Sequence, residues 1–192
     1  MSKNELTTEK MTQALGWAYE KALNGIPGDL SSESLAKSYM KRFSSTDEAI
    51  HSLIKWQTAK SSTSGFVTGL GGIVTLPVAV PVNIASVLYV QMRMIAAIAY
   101  MRGYDLKDDQ VQTFVFICLT GQAASDILKQ SGITVGTKLT VQLIKKVPGA
   151  TLTKINQKVA FRLVTKFGEK GVINLGKLVP VVGGVIGASV DG

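Results

Sequence analysis

From Ser61 to Met92 the chain runs for 32 residues without a charge, and no other feature restricts the possible folds as much. A helix that crosses a bilayer needs about 20 apolar residues, so the stretch is long enough for one. Pro77 and Pro81 fall within it, and Gly65, Gly69, Gly71 and Gly72 crowd its front. Proline removes a backbone donor and disfavours helix at the residue before it, so the stretch is expected to form two helices joined at an elbow, TLPVAVP. Gly65 and Gly69 have the GxxxG spacing that lets two helices approach closely. The second helix, from about Val82 to Arg102, is apolar on nearly every face, with Gln91 and Arg93 its only strongly polar interior members. A helix of that kind is either the centre of a bundle or inside a membrane. Arg93 then needs a partner, because a guanidinium is costly to bury alone. A carboxylate such as Asp126, water at the edge of the fold, or a bound anion such as a lipid phosphate would each serve.

The rest of the chain reads as helix too. Met11, Leu15, Ala18, Tyr19 and Ala22 recur at spacings of three and four and predict an amphipathic helix that ends at NGIPG. A shorter one passes through Leu35, Tyr39 and Met40. Ser45 and Glu48 form a capping box that opens a helix carrying Ile50, Leu53, Ile54 and Trp56 on one side. After the break at GYDLKDDQ, Asp105 is expected to cap one further helix through Val111, Phe114, Val115 and Cys118 to Ile127, with 16 uncharged residues from Gln110 to Ser125. The expected fold is all-α, a multi-helix bundle with Gly-rich apolar helices, in a chain of 192 residues. Residues 1–60 supply N-terminal amphipathic helices and residues 61–192 an apolar and basic helical part, packed with them as one unit.

Charge divides the chain sharply. Residues 1–128 hold 11 basic and 11 acidic side chains, whereas residues 129–192 hold 10 basic and 2 acidic, so the whole net charge of +8 lies in the last third. A field so concentrated suits a phosphate-bearing partner. In TLTKINQKVAFRLVTKFGEKG, Lys154, Lys158, Arg162 and Lys166 repeat every four residues, while Leu152, Ile155, Val159, Leu163 and Phe167 follow at three and four on another side. That pattern is a helix with a basic stripe and an apolar face. Lys138, Lys145 and Lys146 precede it. Such a helix either lies at a lipid surface, each basic residue adding about 1 kcal/mol toward anionic lipid, or is a core helix with a solvated face.

Other chemistries find little support. The Gly- and Lys-rich run KFGEKGVINLGK lacks the GxxxxGK[ST] order of a phosphate loop, and no strand precedes it. FGEKG therefore reads as a helix stop. Beyond it, Gly183 and Gly187 repeat the GxxxG spacing within LVPVVGGVIGASV, an apolar segment suited to pack on the one after Lys60. His51 is the only histidine and Cys118 the only cysteine. Multi-histidine metal sites and internal disulfides are thereby excluded, and Cys118, among apolar neighbours, is expected to be a buried structural thiol. Asp105, Asp108 and Asp109 suit the first turn of a helix without any ion. No zinc spacing, aromatic pair on a basic strand or recognition helix points to nucleic acid. The start, MSKNELTTEK, has no apolar secretion core, so the chain is expected to stay in the cytosol. Because the chain stops at Gly192 within an apolar run, further native sequence is an expectation here.

Three segments, TGLGGIVTLPVAVPVNIASVLYVQMRMIAAIAYMRGYDL, ITVGTKLTVQLIKKVPG and INQKVAFRLVTKFGEKGVINLGKLVPVVGGVIG, resemble the bacterial EcsC family over roughly residues 64 to 190. The order Pro, Gln, Met-Ile, Gly-Tyr and later Pro-Val-Val-Gly-Gly is more faintly similar to hydrophobic helical domains found beside some membrane-associated GTPases. The resemblance implies a bacterial helical protein and carries over no reaction and no catalytic residue.

The expectation is a cytoplasmic protein peripheral to the inner membrane. It engages anionic lipid or a membrane protein and needs no cofactor. Lys145, Lys146, Lys154, Lys158, Arg162 and Lys166 would hold the anion, and Gly65, Gly69, Gly183 and Gly187 would pack helices. The alternatives are a lipid-acting enzyme, with Glu169, Lys170 and Arg93 as its candidates, and a toxin- or immunity-type interaction protein.

Overall fold

The computed structural model describes residues 6–61, 80–133 and 145–170, excluding the side chains of Lys60, Ser61, Glu169 and Lys170. Gly65, Gly69 and Pro77 of the charge-free stretch, Lys138, and Gly183 and Gly187 of the last segment lie outside the described residues.

Seven α-helices and no strand occur among the described residues. The first, α1 (Thr8–Asn24), starts where the Thr7 hydroxyl accepts the Lys10 N–H at 3.2 Å. It buries Met11, Leu15, Ala18, Tyr19 and Ala22 as the spacing predicts, together with Ala14 and Trp17. It ends at Gly25, whose φ of 78° belongs to the left-handed region. A Cβ there would come within 3.0 Å of the Ser31 backbone nitrogen, so glycine is required for the chain to turn into α2 (Ser32–Met40). The turn is fastened by Ser32, whose buried hydroxyl donates to the Ala22 carbonyl at 2.8 Å.

In α3 (Thr46–Ser61) the Ser45 hydroxyl accepts the Glu48 N–H at 3.2 Å, the backbone half of the expected capping box. Its buried residues are Ala49, Ile50, Leu53 and Gln57. Trp56 is not among them, being 60% exposed. At about 100° per residue, Trp56 lies about 60° from Leu53, at the border of the buried face, and no other described element covers it.

The centre is α4 (Val82–Met101), which begins at Pro81, as the elbow predicts. It packs against α1, α2, α3 and α5. This helix has the length and hydropathy to cross a membrane, yet 83% of its most apolar window is buried inside the protein. Of the two settings its sequence allowed, it occupies the core of a bundle. An all-round apolar surface is what such a position demands, since neighbours meet it on every side.

After α4 the chain departs from expectation. Asp105 does not cap a helix; its carboxylate accepts the Lys107 N–H at 2.9 Å within the turn. The next helix, α5, spans Asp109–Cys118 with Asp108 at its cap position. The single helix expected as far as Ile127 is broken there. The Thr120 hydroxyl donates to the Ile117 carbonyl at 2.6 Å, and Gly121 takes a φ of 63°, so the chain passes through a 3₁₀ turn, Gly121–Ala123, into α6 (Ala124–Gln130). Last comes α7 (Gly149–Lys170), which continues through Gly168 and packs on α1, α5 and α6. Leu152, Ile155, Val159, Leu163 and Phe167 are all buried, and this is the apolar face that the spacing predicts. The seven helices share one apolar core.

Candidate functional site

Because α7 buries one face against α1, α5 and α6, its opposite face is left to line an open cleft of about 1070 Å³. The first turns of α1 form one wall with Glu9 and Thr12, and α6 forms another with Asp126 and Gln130. From α7 come Lys154, Asn156, Lys158, Phe161 and Arg162. Lys154 and Arg162 are exposed, and Lys158 is half-buried. The Lys158 Nζ donates to the Gln130 carbonyl at 3.0 Å, where a cation satisfies the end of α6. Over the eight residues from Lys154 to Arg162 the helix rises about 12 Å.

Two further features of the cleft go beyond its cations. Phe161 is 65% exposed, the most open large apolar side chain among the described residues, and it lies between Lys158 and Arg162. Asn156 lines the cleft, and its Oδ1 is buried with no hydrogen-bond partner among the described residues. The four-residue lysine spacing drew attention to the cations, but nothing in a sequence marks which of the intervening residues lose water. Opposing charges also meet here. Glu9 and Asp126 share the cleft with the three cations, and among the described residues no ion pair joins them.

The remaining basic candidates lie elsewhere. Lys145 and Lys146 are exposed ahead of α7, with the Lys145 Nζ 3.5 Å from the Asp108 carboxylate. They do not line the cleft, and neither does Lys166.

Arg93 pairs with a carboxylate, one of the expected alternatives. Its carboxylate partner is Asp29, not Asp126. Asp29 lies in the turn between α1 and α2, which α4 holds against itself. Arg93 Nη1 also donates to the Leu30 carbonyl at 3.1 Å, and the guanidinium lies 5.7 Å from the centre of the Tyr89 ring. The Tyr89 hydroxyl donates to the other Asp29 oxygen at 3.4 Å. Burial, with the Asp29 carboxylate adding to it and Arg93 opposing, pushes the Tyr89 hydroxyl up to about 12. Arg93 is 3% exposed and does not line the cleft. Glu169 and Lys170 end α7, and their side chains lie outside the described residues.

Cys118 is buried, and burial pushes its thiol up to about 12, far from the range in which thiolates react. His51 is exposed on α3. Among the described residues, no group of three His, Cys, Asp or Glu side chains is placed to hold a metal ion.

The family model described as the EcsC protein family matches residues 2–192. The match takes in α1 to α3 as well as the segment from 64 to 190 that carries the resemblance. None of the curated proteins and none of the solved structures compared with the chain matches it.

Proposed function

We propose that this chain, which belongs to the EcsC protein family, is a non-catalytic binding protein that attaches peripherally to an anionic membrane surface through the exposed face of α7. The observation that carries the reading is Phe161, held 65% exposed between Lys158 and Arg162. An aromatic ring flanked by cations on one helical face suits the boundary between headgroups and acyl chains: the ring leaves water while the charges meet lipid phosphate. In this reading α4 takes no part in lipid contact, because it lies within the bundle. The cytoplasmic face of the inner membrane, where anionic lipid attracts basic segments, is the proposed location.

Flotation with vesicles tests this. The protein should float with phosphatidylglycerol vesicles at low salt, release as salt rises, and stay behind with pure phosphatidylcholine. Lys154→Gln with Arg162→Gln removes two exposed cations, each worth about 1 kcal/mol, and should weaken partitioning about 30-fold. Lys158 is left intact because it also holds the end of α6. Phe161→Ala should weaken binding in a way that salt does not mimic. No flotation with either vesicle, or equal flotation with both, overturns the proposal.

A further inference from the structure

The cleft beside the α7 stripe is built for more than a bare negative charge. We infer that it takes a phosphate ester whose other end carries hydrogen-bond donors, either hydroxyls or an ammonium group. This rests on the reading that this face of α7 engages phosphate. Lys154, Lys158 and Arg162 supply the phosphate side. On their own they would suit any anion. Glu9 and Asp126 in the same cleft would repel a simple one, and they leave the three cations only a small net excess. Both carboxylates accept hydrogen bonds and donate none. Asn156 sharpens the point, because its Oδ1 is an acceptor shut away from water with no donor among the described residues. Buried acceptors are almost always satisfied, and a turn of the Asn156 side chain toward the cleft would present this orphan to a donor on what fills it.

Cations and acceptors in one cavity fit a ligand with the same division, phosphate at one end and O–H or N–H at the other. The volume of about 1070 Å³ lies just above the usual range for small-molecule sites and has ample room for a glycerol or ethanolamine phosphate. A phospholipid headgroup and a free polyol or amino-alcohol phosphate share this chemistry.

Four soluble probes separate the possibilities at constant ionic strength by calorimetric titration: sn-glycerol 3-phosphate, phosphoethanolamine, phosphocholine and inorganic phosphate. Phosphocholine has the charges of phosphoethanolamine without its N–H donors. The two donor-bearing esters should bind at least tenfold more tightly than the other two. Asn156→Ala should narrow that gap with the melting temperature unchanged or raised. Asp126→Asn, at an exposed position, should narrow it while tightening inorganic phosphate, and it keeps the test open should the Asn156 variant fold poorly.

Equal binding of all four probes, no binding of any, or a gap untouched by both variants overturns the inference. Failure of the probes while anionic vesicles still float overturns it and spares the membrane reading. Selective binding of the probes without flotation does the opposite. Displacement of glycerol 3-phosphate by phosphatidylglycerol vesicles identifies the headgroup as the source, and binding of both without competition identifies the free ester.

Discussion

Arg93 and Asp29 show how one buried charge organises its surroundings. Arg93, 3% exposed, is stabilised by the Asp29 carboxylate, the Leu30 carbonyl and the Tyr89 ring. Two of its contacts, with Asp29 and Leu30, thus fix the α1–α2 turn onto the central helix. An ion pair in the interior adds little net stability, but removing one partner leaves the other charged and desolvated. Asp29→Asn should therefore cost about 3–5 kcal/mol in urea unfolding, whereas Asp29→Asn combined with Arg93→Met should recover most of that loss. A double variant no more stable than Asp29→Asn alone would show that the lost stability does not come from the stranded guanidinium. The sequence announced that Arg93 needed a partner and could not say which. Several carboxylates were available, and the choice fell to whichever loop the packing of α1 and α2 brought over the middle of α4.

At the scale of elements, α4 and α7 divide the work. Leu88 is fully buried in α4, and truncation leaves a cavity that a helix packed on several sides closes poorly. Leu88→Ala should cost about 2–5 kcal/mol. Trp56→Ala removes a larger side chain that is mostly in water, and it should change stability by no more than about 0.5 kcal/mol. Thermal or urea unfolding of the two variants gives the comparison, and similar losses would contradict the placement of both residues. Because α7 has two distinct faces, its basic stripe can be altered without touching the core beneath it. On α4 no such surface exists. This is why the membrane-facing reading moves from the most apolar helix among the described residues to one of ordinary hydropathy.

The whole molecule has an alkaline limit set by groups that the fold keeps neutral. Burial raises Tyr19, with Asp105 and Asp108 adding to it, and raises Tyr89 and Cys118 to about 12 from ordinary values of 10.0 and 9.0. Tyr19 is further held by its hydroxyl, which donates to the Leu106 carbonyl at 2.7 Å, and by an edge-on contact with Phe116. All three folded values exceed the unfolded ones, so above about pH 9 the unfolded chain binds fewer protons than the folded one. Stability is then lost as pH rises toward 12. In an alkaline titration, the tyrosinate absorbance of Tyr19 and Tyr89 should appear only as the helical circular dichroism falls. Complete ionisation of all five tyrosines with the helix signal intact would show that these rings are not sealed in the core.

What the sequence determined by itself was periodic and local. The spacing of α1, the two faces of α7, the Pro81 start of α4 and the Ser45 cap were all legible, because a helix repeats every 3.6 residues and its ends need particular partners. The break at Gly121 was missed, since the apolar run continues across it and only the backbone reveals the turn. Tertiary structure alone decided that α4 is enclosed, that Asp29 meets Arg93, and that Glu9, Asp126 and Asn156 share a cavity with three cations. These outcomes depend on groups far apart in the chain, brought together by burial of apolar surface, a force with no direction of its own. The polar residues of the cleft arrived as neighbours because the opposite faces of their helices packed.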